Sequence, residues 1–320
     1  MAVLKGTDRL TAIEAVKRSG NEDQRRIIEE LSKTNELLID AMVAEANDRT
    51  VNTQLVRTTL PHGTHRAYNQ GVKSAASQTK TIHDVVCQIA TYSKVDKSLA
   101  DNQPDKDEFI MGECAAFLAG MAEDQMDDMI YGNHSVDSKY MDGLATRRAA
   151  IDGKYCIDFG GTGNNLTSLY IVKWGARNVK VIYPRGASGV GVQRVYKGVQ
   201  TVQDDNGHDF EAYVNYFQAD YGMAVGDQRS LIRIANIPAN ANGENLVKAI
   251  LKAKRNLCNG DGTISILANA SVMGLMDVAA LDKSNVVYNA TDPWGNELVK
   301  IRDMRLRQCD GILDTESQIS

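Results

Sequence analysis

The chain of 320 residues has few aromatic residues, 6% in all, and only five cysteines and five prolines. Cys87, Cys114, Cys156, Cys258 and Cys309 are widely spaced and form no C-x-x-C pair. A zinc site or a disulfide framework needs closer pairing, so these residues read as reduced, buried thiols. No apolar run approaches the roughly 18–20 residues that a membrane span needs. The opening MAVLKGTDRLTAIEAVKRSG has no apolar block behind its first charges. No secretory signal is expected there, and the protein reads as soluble and cytosolic when made. Positive charge is not in excess either: 36 Lys and Arg stand against 41 Asp and Glu, a net charge of −5. Gripping nucleic acid as a main task needs clustered cations, so that class is set aside.

What is present is globular in composition, with 43% hydrophobic and 24% charged residues. Residues 1–48 read as helical and dense in both charges, with Ile27, Leu31, Leu38 and Met42 near one face. Residues 49–85 differ. From Arg57 to Val85 the large apolar residues are only Leu60, Tyr68, Val72, Ile82 and Val85, and Pro61-His62-Gly63 signals a turn. Thr-rich flanks favour extended strands, so this stretch reads as a long polar hairpin projecting from the body. The segment opening near Pro104 spaces Ile110, Cys114, Phe117 and Met121 four, three and four apart, as an amphipathic helix does. Gly132 suits its stop. A helix over 104–132 would be a rod of roughly 40 Å.

From about residue 150 short strands and turns take over: Leu169–Val172, Val179–Tyr183, Arg229–Ala235 and Thr263–Leu267 read as strands. Helices are expected over Gly243–Leu257 and Ser271–Leu281, and strand-like segments around Ile301 and Cys309 after a turn at Asp292-Pro293-Trp294-Gly295. Asp205-Asn206-Gly207 predicts a hairpin with a type I′ turn.

Charge is segregated. Arg57, Arg66, Lys73 and Lys80 lie on the hairpin with no acid before Asp84. Between Asp101 and Asp128 nine acids face Lys106 alone: Asp101, Asp105, Asp107, Glu108, Glu113, Glu123, Asp124, Asp127 and Asp128. Motifs for chemistry are sparse. Gly160-Gly161-Thr162-Gly163-Asn164-Asn165 lacks the Lys of a phosphate-binding loop and has Leu166 where a dinucleotide fingerprint needs glycine. It reads as a glycine turn between strands, and Gly186–Gly191 as a flexible loop. The stretch from Asp101 to Glu108 has Lys106 where a calcium loop needs glycine. His62 and His65 have no third ligand close in sequence. No catalytic residue, cofactor or metal is expected.

Asp158-Phe159-Gly160-Gly161-Thr162-Gly163, then Thr167–Gly175, then Ile182-Tyr183-Pro184-Arg185-Gly186 make a connected pattern. It continues through Asp205-Asn206-Gly207, Gly222-Met223-Ala224-Val225 and Arg233–Ile237 to Arg307–Leu313. Upstream it includes Arg57–Pro61, Tyr92–Lys97 and Phe117–Gly120. The pattern resembles the major capsid proteins of tailed bacteriophages, short-tailed ones above all, with the α+β Hong Kong 97-type fold. It departs at Gly226-Asp227-Gln228-Arg229, where an aromatic is expected after the aspartate.

The resemblance implies an N-terminal arm over 1–48, an extended hairpin called the E-loop over 49–85, and a peripheral domain over 86–140 with a spine helix at about 104–132. It implies an axial domain over 141–285 and C-terminal strands over 286–320 returning to the peripheral domain. The function implied is self-assembly into hexamers and pentamers of an icosahedral shell around phage double-stranded DNA. Partners would be other copies, a portal, a scaffold or decoration protein, and DNA touched non-specifically. Assembly would take place in the bacterial host cytoplasm, and no membrane is involved. From the charge segregation, Arg57, Arg66, Lys73 and Lys80 of one copy are expected to lie on Asp105, Asp107, Glu108, Glu113, Glu123, Asp124, Asp127 and Asp128 of a neighbour. Two rival readings are an encapsulin-like cellular compartment and an enzyme with a nucleotide at the Gly160–Asn165 loop.

Overall fold

The computed structural model describes residues 37–187, 191–281, 290–291, 297–298 and 300–320. Of the helix expected over residues 1–48, the first 36 residues lie outside the described ones, as do the Asp292–Gly295 turn and the middle of the Gly186–Gly191 loop. Leu37–Asp40 is helical, but Val43–Glu45 is a strand instead, paired parallel with Val181–Tyr183, so Met42 leads into the sheet rather than continuing a helical face.

In chain order the elements are α1 (Leu37–Asp40), β1 (Val43–Glu45), β2 (Val51–Thr59), β3 (Gln78–Asp96), α2 (Lys97–Asp101), α3 (Lys106–Tyr131) and α4 (Leu144–Arg147). Then come β4 (Cys156–Asp158), β5 (Leu166–Trp174), β6 (Val179–Tyr183), β7 (Val192–Gln203), β8 (Asp209–Val225) and β9 (Leu231–Pro238). The last are α5 (Gly243–Lys254), β10 (Thr263–Ala268), α6 (Ala270–Leu281), β11 (Ala290–Thr291), β12 (Glu297–Leu298), β13 (Lys300–Ile301) and β14 (Met304–Gln308). Among the described residues, twelve strands form one sheet whose spine runs β13-β14-β10-β5-β6-β8-β3-β2, with β9 beside β5, β4 beside β9, β7 beside β8 and β1 beside β6.

The sheet is buried on both faces at its centre. All nine residues of β5 are buried. Tyr170, Val172 and Trp174 pack into one core with Cys114, Leu118, Met121 and Met129 of α3. Leu169 and Ile171 pack into a second core with Leu246 and Ile250 of α5 and Val272 and Met276 of α6. Alternation along one strand therefore feeds two cores, because successive side chains point to opposite faces.

Helix α3 runs 26 residues, about 39 Å at 1.5 Å per residue. Asp105 caps it, accepting from the Glu108 N–H at 3.1 Å, so Pro104 stands just before the cap rather than in the first turn. Gly132 ends it, where a Cβ would come within 2.4 Å of the Asp128 carbonyl and 2.6 Å of the Met141 carbonyl. The buried stripe is Ile110, Cys114, Leu118, Met121, Gln125 and Met129. Phe117, expected inside, is 39% exposed, and Leu118 takes the inward position.

Two further expectations change in detail. The β7–β8 connection is a three-residue loop, not a type I′ turn. Gly207 N–H donates to the Asp204 carbonyl (3.0 Å), Asp204 N–H donates to the His208 carbonyl (2.9 Å), and Gly207 has φ +83. A type I turn closed by a left-handed glycine is the standard three-residue hairpin. At the departing Asp227, the carboxylate caps a short 3₁₀ turn over Gln228–Ser230 and grips the Arg229 side chain at 2.8 Å. The span 141–285 also supplies β7 and the first part of β8 to the sheet beneath α3, where Phe217 and Tyr221 join the α3 core.

All five cysteines are buried, and none is joined in a disulfide among the described residues. Burial pushes the Cys87 thiol up to about 12, with the Asp128 carboxylate adding to the shift.

Candidate assembly surface

β2 and β3 form an antiparallel hairpin from Val51↔Val85 out to Thr59↔Gln78. Residues 60–77 at its end carry no strand and are exposed throughout. Tyr68 there is 97% exposed, and Leu60 and Val72 stand out beside it. Arg66, Lys73 and Lys80 point into solvent and form no ion pair among the described residues. Arg57 lies on β2 opposite Thr79.

The root of the hairpin is built differently. β3 changes partner there, pairing with β2 as far as Val85 and with β8 from Val86 onward. Asp84, 2% exposed, accepts from the Arg147 guanidinium at 2.7 Å and from the Gln54 amide at 3.0 Å. Arg147 also donates to the Met223 carbonyl of β8 (2.7 Å) and the Asp142 carbonyl (3.0 Å). One guanidinium thus ties the hairpin to β8 and to the chain leaving α3. Gly222 is required beside it, since a Cβ there would meet the Val85 carbonyl at 2.7 Å.

The acids of α3 fall into two groups. Asp105, Asp107 and Glu108 cluster at its start, and Asp105 is occupied by the cap. Glu123, Asp124, Asp127 and Asp128 occupy the last two turns, roughly 25–30 Å away. Glu113 is exposed between them. Asp128 is half-buried and accepts from the Tyr221 hydroxyl at 2.7 Å. Burial holds the Asp127 carboxyl above its ordinary value, and the neighbouring Asp124 and Glu123 carboxylates raise it further. Asp128 is raised by burial, then by Asp124 and Asp127, against the lowering Tyr221 hydrogen bond. Acids at a helix C-terminus also oppose the helix dipole. Beside this end lies a groove of about 380 Å³ between α3 and β3, lined by Ile89, Ala90, Thr91, Phe117, Gly120 and Asp124.

The Gly160–Asn165 loop is not a phosphate cradle. Gly160 N–H donates to Asp158 Oδ1 (2.9 Å), Gly161 N–H to the Asn236 carbonyl (2.9 Å), and the Gly163 carbonyl accepts from Gln318 (3.0 Å). These three groups are engaged inside the chain, and the strand β5 follows where a helix N-terminus would be needed. His62 and His65 sit in the exposed hairpin end.

Sequence reasoning missed the buried ion pairs. Arg233 and Glu316, 4% and 9% exposed, meet at 2.9 Å. Glu316 also takes the Tyr131 hydroxyl of α3 at 2.6 Å, so the C-terminal segment joins sheet to helix. Asp40 is gripped by Arg305 and by Arg307 (2.8 Å). The partners lie from 83 to 267 residues apart in sequence, and no local pattern links them. Only Asp84 left a trace, as the first acid after the basic run.

A large mixed sheet held between one long helix and a helix pair, with a strand hairpin thrown outward, is the Hong Kong 97-type fold of shell-forming proteins. A chain of the bacteriophage Epsilon15 structure matches with TM-score 0.70 and 26% identity, covering 100% of this chain and 99% of that one. Residues 19–320 match the family Major capsid protein GP7, and the chain belongs to that family. It is a structural, shell-forming phage protein of the virion capsid. The bacteriophage JBD30 capsid matches at TM-score 0.47 and 14% identity, covering 85% of this chain and 89% of that one. The SrpI encapsulin of Synechococcus elongatus matches at TM-score 0.42 and 11% identity, covering 63% and 87%. These two are too distant to carry an argument. Comparison with curated proteins gives no match.

Proposed function

We propose that the hairpin of residues 49–85 is the arm by which one subunit holds the next. Its cations Arg57, Arg66, Lys73 and Lys80 lie on a neighbour's Asp105, Asp107, Glu108, Glu113, Glu123, Asp124, Asp127 and Asp128. The observation that carries this is the hairpin end: eighteen residues with a bared tyrosine and unpaired cations have no fold-stabilising role within their own chain. The acid cluster at the end of α3 and its groove supply the complementary charge and an apolar slot. Such complementarity sets register and encounter rate, and salt weakens it.

On this reading residues 1–48 form an N-terminal arm, 86–140 a peripheral unit whose spine is α3, 141–285 mostly an axial unit, and 286–320 a return to the peripheral unit. β7 and the first part of β8 belong with the spine. Copies form hexamers and pentamers in the host cytoplasm and close into an icosahedral shell, with a portal and a scaffold or decoration protein as further partners. The shell holds double-stranded DNA through weak, sequence-independent contact, and the protein performs no catalysis.

The double variant Arg66→Glu/Lys73→Glu tests the contact. It should keep the circular dichroism and melting of the parent monomer yet form few shells by negative-stain microscopy. Normal shell formation at low salt sinks the contact.

A further inference from the structure

We propose that Asn259 is a site of spontaneous deamidation, the dominant one among the three Asn-Gly steps in the chain: Asn206-Gly207, Asn242-Gly243 and Asn259-Gly260. In the reaction the Gly260 amide nitrogen attacks Asn259 Cγ. The carboxamide nitrogen leaves as ammonia and takes the proton displaced from the amide, giving a cyclic imide. Water then opens the imide at either carbonyl and leaves aspartate or isoaspartate. No oxidant, reductant or enzyme is required.

The fold separates the three steps. At Asn242 the side-chain oxygen caps α5, accepting from the N–H groups of Glu244 (2.9 Å) and Asn245 (3.2 Å). Gly243 is jammed against α6, where even a Cβ would sit 2.1 Å from the Leu275 carbonyl. A cyclic imide cannot be accommodated without unwinding the helix start. At Asn206 the attacking nitrogen, that of Gly207, is engaged: its N–H donates to the Asp204 carbonyl at 3.0 Å, within a loop that Asp204 also clamps through Asn206 and His208.

At Asn259 neither restraint applies. Asn259 and Gly260 are exposed, and nothing lies within 4 Å of the Cβ position on Gly260, whose φ is +115. Among the described residues the Asn259 side chain and the Gly260 N–H have no hydrogen-bond partner. The buried Lys173 ammonium donates to the carbonyls on either side, those of Cys258 (2.7 Å) and Gly260 (2.8 Å). A fixed cation so close favours the amide anion that attacks and the carboxylate that results.

The product has a structural consequence. Isoaspartate inserts an extra methylene into the backbone between the two carbonyls that Lys173 holds. That clamp fixes the loop entering β10, a strand of the central sheet, beside a cleft of about 980 Å³ that includes Arg177. An older molecule therefore gains a negative charge and a loosened loop at one defined place, irreversibly.

Peptide mapping by mass spectrometry of the full-length protein, incubated in mildly alkaline buffer, tests this. The Asn259 peptide is expected to gain the mass of amide-to-acid exchange several-fold sooner than the Asn206 peptide, with Asn242 unchanged. Asn259→Gln should abolish the early acidic form on isoelectric focusing. Conversion at Asn206 as fast as at Asn259 overturns the proposal. So does an intact Asn259 when a free peptide of the same sequence has fully converted.

Discussion

β5 and the end of the β2–β3 hairpin are both segments of one chain, yet their surroundings are opposite. All nine residues of β5 are buried and serve two cores, whereas residues 60–77 bury nothing. On the proposed reading, this chain divides its residues between holding itself together and reaching a neighbouring copy. Full burial of a large apolar side chain stabilises by about 1.5–3 kcal/mol, so the centre of the sheet holds the stability and the arm contributes little to it. Substitutions should separate the two along that line.

The largest effect is expected at the centre. Arg233→Ala leaves the Glu316 carboxylate buried without its guanidinium partner, which costs about 3–5 kcal/mol. A urea midpoint within error of the parent would show that the sheet-to-helix link is dispensable. At the boundary, Arg147→Gln should cost less globally and act locally. Amide exchange should rise over Val51–Thr59 and Gln78–Val85 while β5 stays protected. Equal loss of protection in β5 would mean that arm and body unfold as one unit.

The smallest effect should have the opposite sign. Asp127 and Asp128 have folded pKa values above the unfolded ones. The folded state then takes up protons first as pH falls, so their destabilisation is present at neutral pH. It is relieved as pH drops through the raised values toward the ordinary carboxylate value. Asp127→Asn should therefore raise neutral-pH stability by about 0.5 kcal/mol, from removing an acid at a helix C-terminus, and lose that gain in acid. If the acid cluster receives a neighbour's arm, the same variant assembles less well while melting later.

The hairpin and α3 were legible in the sequence because their signals are local: Thr-rich flanks, and an apolar stripe ended by Gly132. The turn itself was misplaced: it forms at Ala67–Gln70, with Asn69 left-handed at φ 65, not at Pro61-His62-Gly63. The same stripe misplaced Phe117, since four-three-four through Phe117 and four-four-three through Leu118 both suit one helix face, and only packing of the folded chain chooses Leu118. Asn-Gly was read correctly as a hairpin, but not its turn type, which Asp204 decides by taking the Asn206 and His208 amides. The Arg147–Asp84 and Arg233–Glu316 pairs were invisible because they join segments 63 and 83 residues apart. The shared role of β8, under α3 at one end and beside β6 at the other, was hidden for the same reason.

The uninterrupted run of β3 from arm to body has a mechanical meaning. Tension applied at the hairpin end travels along the strand into eleven consecutive residue pairs with β8, from Val86↔Gly222 to Asp96↔Ala212. The pull lies parallel to the strands, so those hydrogen bonds are strained together in shear rather than opened one after another like a zipper. A subunit tugged by its neighbour through this arm would resist as a lap joint does, with its strength set by overlap length.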